Sequence, residues 1–466
     1  MKLTPKDTVG LLLVVGTLGA LYVHIGPDGH ASKHPSSVAD VGGSVTTAVG
    51  SNTVAFVNVN VLPMDRDWAR VLRNQVVIVE GDFVKSVGPL EGFEPPDDAL
   101  IIDGGGTKYL VPGLTDAHVH LEEGAEQWLK LFVAKGVTTV FNLEGEQRHL
   151  ELRERIFRKE VVGPTIYTSG PFTNEPRIET PQQAEHAVRE QARLGYDFVK
   201  IHGNLSADAY QRMIEVGNEV GIPIVGHAPR NLSLSLVLAG GQRSIVHAEE
   251  LIYTGFPTLE RSDLERVASE IATAGMWVTT ALSTFDNNAT LWGTIAGLET
   301  RLASESASYV PQSLRDRWAE PNTYTDNYSS ERPQIGRMLD FLRPMLRALG
   351  DADVLMLTGT DAGKPVMVPG FALLDEIEAL SDAGLTSFDA LTAATSNAGR
   401  FVREFVHENT SFGTVTRNAR ADLILLDEDP LADLSRLRDP VGVMLRGQWY
   451  DRDALDRMLA EVKASR

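Results

Sequence analysis

The sequence predicts an α/β protein, a (β/α)8 barrel joined to a small β-sandwich domain built from both ends of the chain. Three observations lead to this prediction. Residues 111–406 alternate short apolar strands with helical stretches, as parallel βαβ units do. Eight such strands can be counted, the number that closes a barrel. Residues 53–110 and 407–466 instead contain short strands separated by turn residues, and we expect them to form one β-sandwich.

The eight predicted barrel strands are short apolar segments, each followed by a polar stretch. They lie at residues 117–120, 138–143, 165–169, 198–202, 224–227, 245–248, 277–281 and 355–359. The helix after the fourth strand is predicted from an N-cap at Ser206 and a stop at Gly221. Its apolar side is predicted to carry Ala209, Met213, Val216 and Val220. The long connection at 287–333 is interpreted as a lid or substrate wall.

The N-terminal segment differs from the rest of the chain. Lys2 and Lys6 precede an apolar run at residues 9–23, which is short for a membrane span and typical of an export signal. A small-residue cleavage site lies at 29–31, although an uncleaved membrane anchor is the alternative. We therefore expect a signal or anchor over 1–31 and a flexible linker over 32–52. The expected location is periplasmic or secreted, or attached to the membrane by this segment.

Composition excludes several classes of function. The formal charge of −20 disfavours nucleic acid as a partner. The chain contains no cysteine, so disulfides, thiolate metal sites and cysteine nucleophiles are excluded. Any metal must be held by histidine, carboxylate or a modified lysine. The expected partner is a small-molecule substrate, and self-association into a homo-oligomer stays open.

Polar residues fall at the carboxyl ends of five of the predicted strands. His118 and His120 alternate along the first strand, so both side chains point into the barrel. Lys200 occupies an inward position of the fourth strand, where an unpaired ammonium is costly. His227 and His247 end the fifth and sixth strands, and Asp361 follows the eighth.

Each of these residues, taken singly, has an ordinary structural explanation. A histidine can be a hydrogen-bonded core residue, Lys200 can extend to the surface, and Asp361 can cap a helix. The coincidence of all six at the rim where barrel enzymes place their catalytic groups favours one metal site. Nitrogen and oxygen ligands suit Zn²⁺ first, with Mn²⁺, Co²⁺ or Fe²⁺ as alternatives.

Six segments carry a resemblance to a known family. They are PGLTDAHVHL, FVKIHGNLS, GHAPR, VHAEEL, GTDAGKP and ADLILLDEDPLAD. In order and over nearly the whole mature chain they resemble the amidohydrolase superfamily, most closely its prolidase-like and imidazolonepropionase-related branch. The resemblance implies two divalent metal ions. It assigns His118, His120 and Asp361 to one ion and His227 and His247 to the other, with Lys200, carboxylated by carbon dioxide, as the bridge.

The resemblance also implies hydrolysis of a C–N amide bond by a hydroxide that bridges the metals, with Asp361 as general base and acid. His202 and Tyr253 are predicted to hold an oxyanion or a substrate carboxylate, and Arg230 to pair with a carboxylate. Surface hydrogen bonding is an equally good explanation for each of these three. Many relatives have Asn-Pro where this chain has Lys364 and Pro365, and a histidine where it has Leu374. The substrate is therefore left open among dipeptides, N-acyl amino acids, and cyclic or xenobiotic amides.

Three alternatives compete with this prediction. A mononuclear deaminase shares the layout but uses a His-x-x-Glu on strand five, and this chain has Arg230 in place of that glutamate. A phosphotriesterase-like hydrolase uses a similar bridged site, although a flanking β-sandwich is more typical of amidases. An exported binding protein that kept the barrel without its chemistry would be expected to lose ligands, whereas this ligand set is complete.

Overall fold

A computed structural model describes residues 52–122, 124–256, 258–320 and 329–464. The predicted signal or anchor at 1–31 lies outside the described residues, as does the predicted linker apart from Asn52. Within the described ranges no helix is both long enough and apolar enough to cross a membrane.

Strands and helices are numbered here along the chain. The strands are β1 (Thr53–Val61), β2 (Leu72–Glu80), β3 (Phe83–Pro89), β4 (Leu100–Asp103), β5 (Tyr109–Pro112), β6 (Leu114–Val119), β7 (Val137–Asn142), β8 (Thr165–Thr168), β9 (Val199–Ile201), β10 (Ile224–Gly226), β11 (Ser244–Val246), β12 (Trp277–Thr279), β13 (Met356–Leu357), β14 (Leu423–Leu426), β15 (Gly442–Leu445) and β16 (Gln448–Asp451). The α-helices are α1 (Leu129–Ala134), α2 (Gln147–Phe157), α3 (Pro181–Leu194), α4 (Ala207–Val220), α5 (Leu234–Gly240), α6 (Glu250–Gly255), α7 (Leu264–Thr273), α8 (Leu282–Leu291), α9 (Ile295–Leu302), α10 (Gln312–Ala319), α11 (Arg332–Asp351), α12 (Phe371–Asp382), α13 (Ser387–Ala393), α14 (Ser396–Phe405) and α15 (Arg452–Ala464).

Both ends of the chain contribute to one eight-stranded sheet. Its strand order is β16-β15-β14-β5-β1-β2-β3, and β4 pairs with β1. The link between the two ends is the antiparallel pairing of β14 with β5. The apolar residues of these strands form a common core that contains Phe56, Val77, Leu110, Leu423 and Met444. The two ends therefore meet in one sheet, and its folding into the two packed layers of a sandwich stays a prediction.

The middle of the chain forms parallel β-structure. β6, β7 and β8 make one sheet, and β13, β12, β11, β10 and β9 make another in that order. Each of the eight predicted barrel segments overlaps one of these strands. Isolated parallel bridges join Ser169 to Phe198 and Val119 to Ala362, at the two places where the sheets approach each other. The α/β class with parallel strands, like that of a TIM barrel, is therefore confirmed.

An aromatic cluster packs the parallel strands against α14. Phe141 lies 5.2 Å from Phe198 between ring centroids, and Trp277 lies 5.3 Å from Phe401. All four side chains are buried. Full burial of side chains of this size contributes roughly 2–3 kcal/mol each. This core fixes the strands whose carboxyl ends carry the predicted site.

Helix α4 illustrates how far a sequence pattern predicts structure. The Ser206 hydroxyl accepts a hydrogen bond from the Ala209 amide, and Gly221 ends the helix with a φ of 74°. Both predicted ends are confirmed, because a hydroxyl cap and a left-handed glycine are encoded locally. Val220 was expected on the buried side and is instead 37% exposed. It is the last residue of the helix.

Two regions contain helices whose positions were not predicted from the sequence. The connection at 287–333 contains α9 and α10, and Leu314 and Trp318 of α10 pack in a cluster with Trp128 and Leu131. Residues 321–328 lie outside the described ranges, and a role as lid stays a prediction. The C-terminal end, assigned to the β-sandwich, closes with helix α15, which packs against α1 and β16.

Candidate metal centre

The imidazoles of His118 and His120 lie side by side at the end of β6. Their Nε2 atoms are 3.2 Å apart, and both side chains are buried. This is the geometry predicted from the alternation of side chains along a strand. Burial and the nearby charge of Lys200 hold the pKa of His118 well below its ordinary value. A neutral imidazole offers a nitrogen lone pair, which is the form that binds a metal.

Asp361, which follows β13, joins His118 and His120 to form a first group of three side chains. Its Oδ1 lies 2.6 Å from Nε2 of His120 and 3.3 Å from Nε2 of His118. The backbone of Asp361 has a φ of 54°, and its amide donates to the carbonyl of His118 at 2.8 Å. That bond holds the residue in the left-handed region, which few side chains adopt without support.

Asp116 positions the peptide before Asp361. Its carboxyl accepts hydrogen bonds from the Thr360 amide at 3.0 Å and from the Thr360 hydroxyl at 2.6 Å. Asp116 is fully buried, and burial raises its pKa to about 8 despite these bonds. The connection ties the end of β13 to β6, so that His118 and Asp361 are held on neighbouring backbone segments.

Lys200 on β9 is buried next to His118. Its side chain is 1% exposed, and Nζ lies 3.4 Å from Nε2 of His118. No carboxylate oxygen among the described residues lies within 4.0 Å of Nζ. Burial lowers the pKa of Lys200 to about 8, so about a tenth of the amine is uncharged at pH 7. The alternative that Lys200 extends to the surface is therefore wrong.

His227 and His247 follow β10 and β11 and stand beside the first group. The ring centroids of His118 and His247 are 4.5 Å apart, and those of His227 and His247 are 5.1 Å apart. Burial lowers the pKa of both residues well below the ordinary value. All six predicted ligands are thus brought to one place.

The atoms of the first group fit a metal ion. One ligand atom each from His118, His120 and Asp361 lies within 4.8 Å of the others. Oδ1 of Asp361 is buried and forms no hydrogen bond of normal geometry, although two imidazole nitrogens lie within 3.3 Å of it. A cation would accept the lone pairs of these three converging ligand atoms, which do not form normal hydrogen bonds with one another. Two imidazole nitrogens and a carboxylate oxygen suit a divalent metal.

The sequence pattern that defines the Amidohydrolase family matches residues 109–450, almost three quarters of the chain. The chain belongs to this family. Members of the amidohydrolase family depend on metal ions and act on C–N bonds, and His118, His120 and Asp361 provide the corresponding candidate metal site.

Individual comparisons agree with this assignment. An uncharacterized protein of Mycobacterium tuberculosis is 25% identical over 395 residues, which cover 81% of this chain and 92% of the relative. The solved structure of the bottromycin amidohydrolase is similar with a TM-score of 0.70 and 22% identity, covering 90% of this chain and 91% of that one. A Xaa-Pro dipeptidase solved with bound methionine is similar with a TM-score of 0.65 and 17% identity, covering 86% and 100%. The structural similarities show a shared fold.

Two glutamates that the sequence analysis missed orient the histidines of this amidohydrolase. Oε2 of Glu144 lies 2.8 Å from Nδ1 of His120, and Oε1 of Glu250 lies 3.0 Å from Nδ1 of His227. Contacts of this kind fix the ring and tautomer and leave Nε2 for a metal. Their positions in the sequence could have indicated this role. Glu144 follows β7 closely, and Glu250 lies three residues after His247.

The three predicted substrate residues lie near the candidate centre. The guanidinium of Arg230 donates to both oxygens of Glu250, at 2.7 and 3.0 Å, and lies over the ring of Tyr253 at 4.2 Å. The ring of His202 is 4.6 Å from that of His227 and stacks on Phe172 at 4.4 Å. Burial lowers the pKa of His202 to about 2, so this imidazole is neutral. Their contact with substrate stays a prediction.

Proposed function

We propose that this amidohydrolase is a binuclear metal-dependent enzyme that cleaves the amide bond of a small molecule. The proposed ligands are His118, His120 and Asp361 for one ion and His227 and His247 for the other, with Zn²⁺ as the first choice. Lys200, once carboxylated, would be the ligand that the two ions share. The observation that carries the proposal is the buried amine of Lys200, 3.4 Å from His118 and with no carboxylate within ion-pair distance in the described chain.

A carbamate resolves the electrostatic problem that Lys200 poses. A buried ammonium without a counterion is costly, and the neutral amine that burial favours is the nucleophile for carbon dioxide. The product carries two oxygens on the same side chain. Its negative charge suits a position between two groups of cation ligands.

Two divalent cations bound there would polarise the scissile carbonyl and lower the pKa of a water held between them. The protein's own contribution is to place and move the proton. Asp361 accepts a proton from the attacking water and delivers it to the departing nitrogen, while the water oxygen bonds to the carbonyl carbon and the C–N bond breaks. The products are an amine and a carboxylic acid, and the acid releases its proton to solvent at neutral pH. Asp361 can serve because its carboxylate is held beside His118 and His120.

His202 and Tyr253 are proposed to hold the oxyanion or a substrate carboxylate. The neutral imidazole of His202 lies beside His227, where a ring N–H would face developing charge. Arg230 is proposed to approach a substrate carboxylate while it remains paired with Glu250. That pairing makes Arg230 a more rigid and less positive contact than a free arginine would be.

The finer features of the architecture belong to the same proposal. The bridges between Ser169 and Phe198 and between Val119 and Ala362 support closure of the two parallel sheets into a (β/α)8 barrel. The eight-stranded sheet is proposed to fold into a β-sandwich. Export from the cytoplasm is proposed from Lys2, Lys6 and the apolar run at 9–23.

The proposal predicts amide hydrolysis that depends on metal. Protein purified without chelators is incubated with dipeptides, N-acyl amino acids and lactams, and release of a free amine or ring-opened amino acid is measured. We expect turnover on one of these classes, its loss after metal removal with a chelator, and its return with Zn²⁺. Parallel assays of ammonia from aminopurines and of phosphotriester cleavage test the alternatives. Turnover confined to either of those substrates would overturn the proposal, as would amide turnover that survives full metal removal.

A further inference from the structure

A cavity lies at the opposite end of the parallel strands from the candidate metal centre. Its volume is about 610 Å³, within the range of small-molecule sites. It is lined by the first residues of β8, by the residues just before β9 and β10, and by the turn between β2 and β3. The metal ligands follow the carboxyl ends of the same strands. The cavity is therefore distinct from the catalytic site.

The walls of this cavity are largely apolar and partly uncovered. Ile166 and Ile222 form part of the inner wall, and Phe83, Phe157 and Val220 lie at its surface. Phe157 is 70% exposed, more than any other large hydrophobic residue in the described ranges. Exposed apolar side chains that form one contiguous patch mark interaction sites, whereas singly scattered ones are ordinary. These walls suit the apolar body of a ligand.

Arg446 brings a positive charge to the inside of the cavity. Its side chain is 6% exposed, and its guanidinium donates from Nη2 to the carbonyl of Ile156. Nε is buried with no hydrogen-bond partner, and no carboxylate in the described ranges lies within 4.0 Å of the guanidinium. A buried cation without an ion pair is costly. An acceptor supplied by a ligand would remove that cost.

The other charged groups around the cavity already have partners or face solvent. Arg153 pairs with Asp197 at 2.8 Å, and His407 lies 3.4 Å from the same carboxylate. Arg420 pairs with Asp422, Asp82 pairs with Lys159 at 2.8 Å, and Glu154 is exposed. Since these pairs balance one another, the charge that a ligand would meet inside is that of Arg446.

We propose that this cavity binds an amphipathic carboxylate, an acid group on an aromatic or aliphatic body. The carboxylate pairs with the guanidinium of Arg446, which lines the cavity, and the body packs against Ile166, Ile222 and Phe157. Binding here is independent of the proposed catalytic activity, because no metal ligand takes part.

The test is calorimetric titration of the full chain with 1-naphthaleneacetate and dodecanoate, each compared with its neutral amide. We expect both acids to bind and each amide to bind at least 10-fold more weakly, because an amide lacks the charge that Arg446 recognises. Arg446→Met should reduce the affinity for acids to that for amides. Phe157→Asp, at an exposed position that should not affect folding, should weaken acid binding at least 10-fold through repulsion and lost apolar contact.

Two controls separate this site from the rest of the molecule. Trp68→Ala removes another exposed aromatic side chain, 60% exposed and outside the cavity, and should leave binding unchanged. Removal of bound metal with a chelator reports binding at the metal centre. The proposal is overturned if neither acid binds, if acid and amide bind equally, or if Phe157→Asp binds like the wild type. Acid binding that disappears after metal removal and persists in Phe157→Asp would also overturn it, because the acids would then be ligands of the metal centre.

Discussion

An Asp361→Asn variant should retain most of its metal and lose about 10²–10⁴-fold in kcat, the range for removing a general acid or base. The amide oxygen of asparagine can still face His118 and His120, since Asp361 is held by the hydrogen bond from its own backbone amide to the His118 carbonyl. What the variant lacks is a carboxylate that can accept and release a proton. KM should change little, because substrate binding does not require that proton.

Steady-state kinetics with the amide identified from the panel, together with elemental analysis of the same preparation, distinguishes the possible results. Full activity with full metal content would remove Asp361 from proton transfer. Loss of activity in parallel with loss of metal would assign Asp361 to metal binding alone. Only a large fall in kcat at nearly constant metal content agrees with the proposed role.

A Glu250→Gln variant should have a free energy of unfolding lower by roughly 3 kcal/mol, the lower end for breaking a buried ion pair. Glu250 is 1% exposed and accepts hydrogen bonds from Arg230 through both oxygens, while Oε1 also contacts Nδ1 of His227. The amide would place an N–H against these donors and remove the negative charge that pairs with the partly exposed guanidinium of Arg230. Metal affinity at His227 should fall about 10–100-fold, as expected when the partner of a liganding histidine is removed.

The matched control is Glu185→Gln. Glu185 contacts two arginines, Arg189 and Arg212, but does so at the surface, where solvent screens the pairs. Chemical denaturation of both variants, with and without added Zn²⁺, gives the comparison. Equal stability of the Glu250 and Glu185 variants would contradict the role given to Glu250, as would an unchanged zinc affinity of Glu250→Gln.

Features with a local or periodic origin could be predicted from the sequence. The eight parallel strands follow from apolar runs, and the joint orientation of His118 and His120 follows from the two-residue period of a strand. The N-cap at Ser206 and the helix end at Gly221 each depend on a single residue, so they could be predicted as well. The convergence of Lys200, His227 and His247 then follows from the way parallel strands place their carboxyl ends together.

The features missed depend on contacts between distant segments. Glu144 and Glu250 resemble surface glutamates in the sequence, and their importance arises only when β7 and α6 place them against His120 and His227. The pairing of Arg230 with Glu250 changes what Arg230 offers a substrate, and no spacing rule reveals it. The cavity at Arg446 is formed by chain segments nearly 300 residues apart, as the contact of Arg446 with Ile156 shows.

The measurement that tests the binuclear centre most directly is the metal content per chain of protein purified without chelators, by elemental mass spectrometry. The wild type should contain about two metals and Lys200→Ala clearly fewer. Lys135→Ala is the matched control, because Lys135 is also buried but donates to the carbonyl of Arg438, away from the site, and should keep the wild-type content. One metal in both the wild type and Lys200→Ala would contradict the bridged centre and make Lys200 a structural residue, and no metal in either would favour a binding protein.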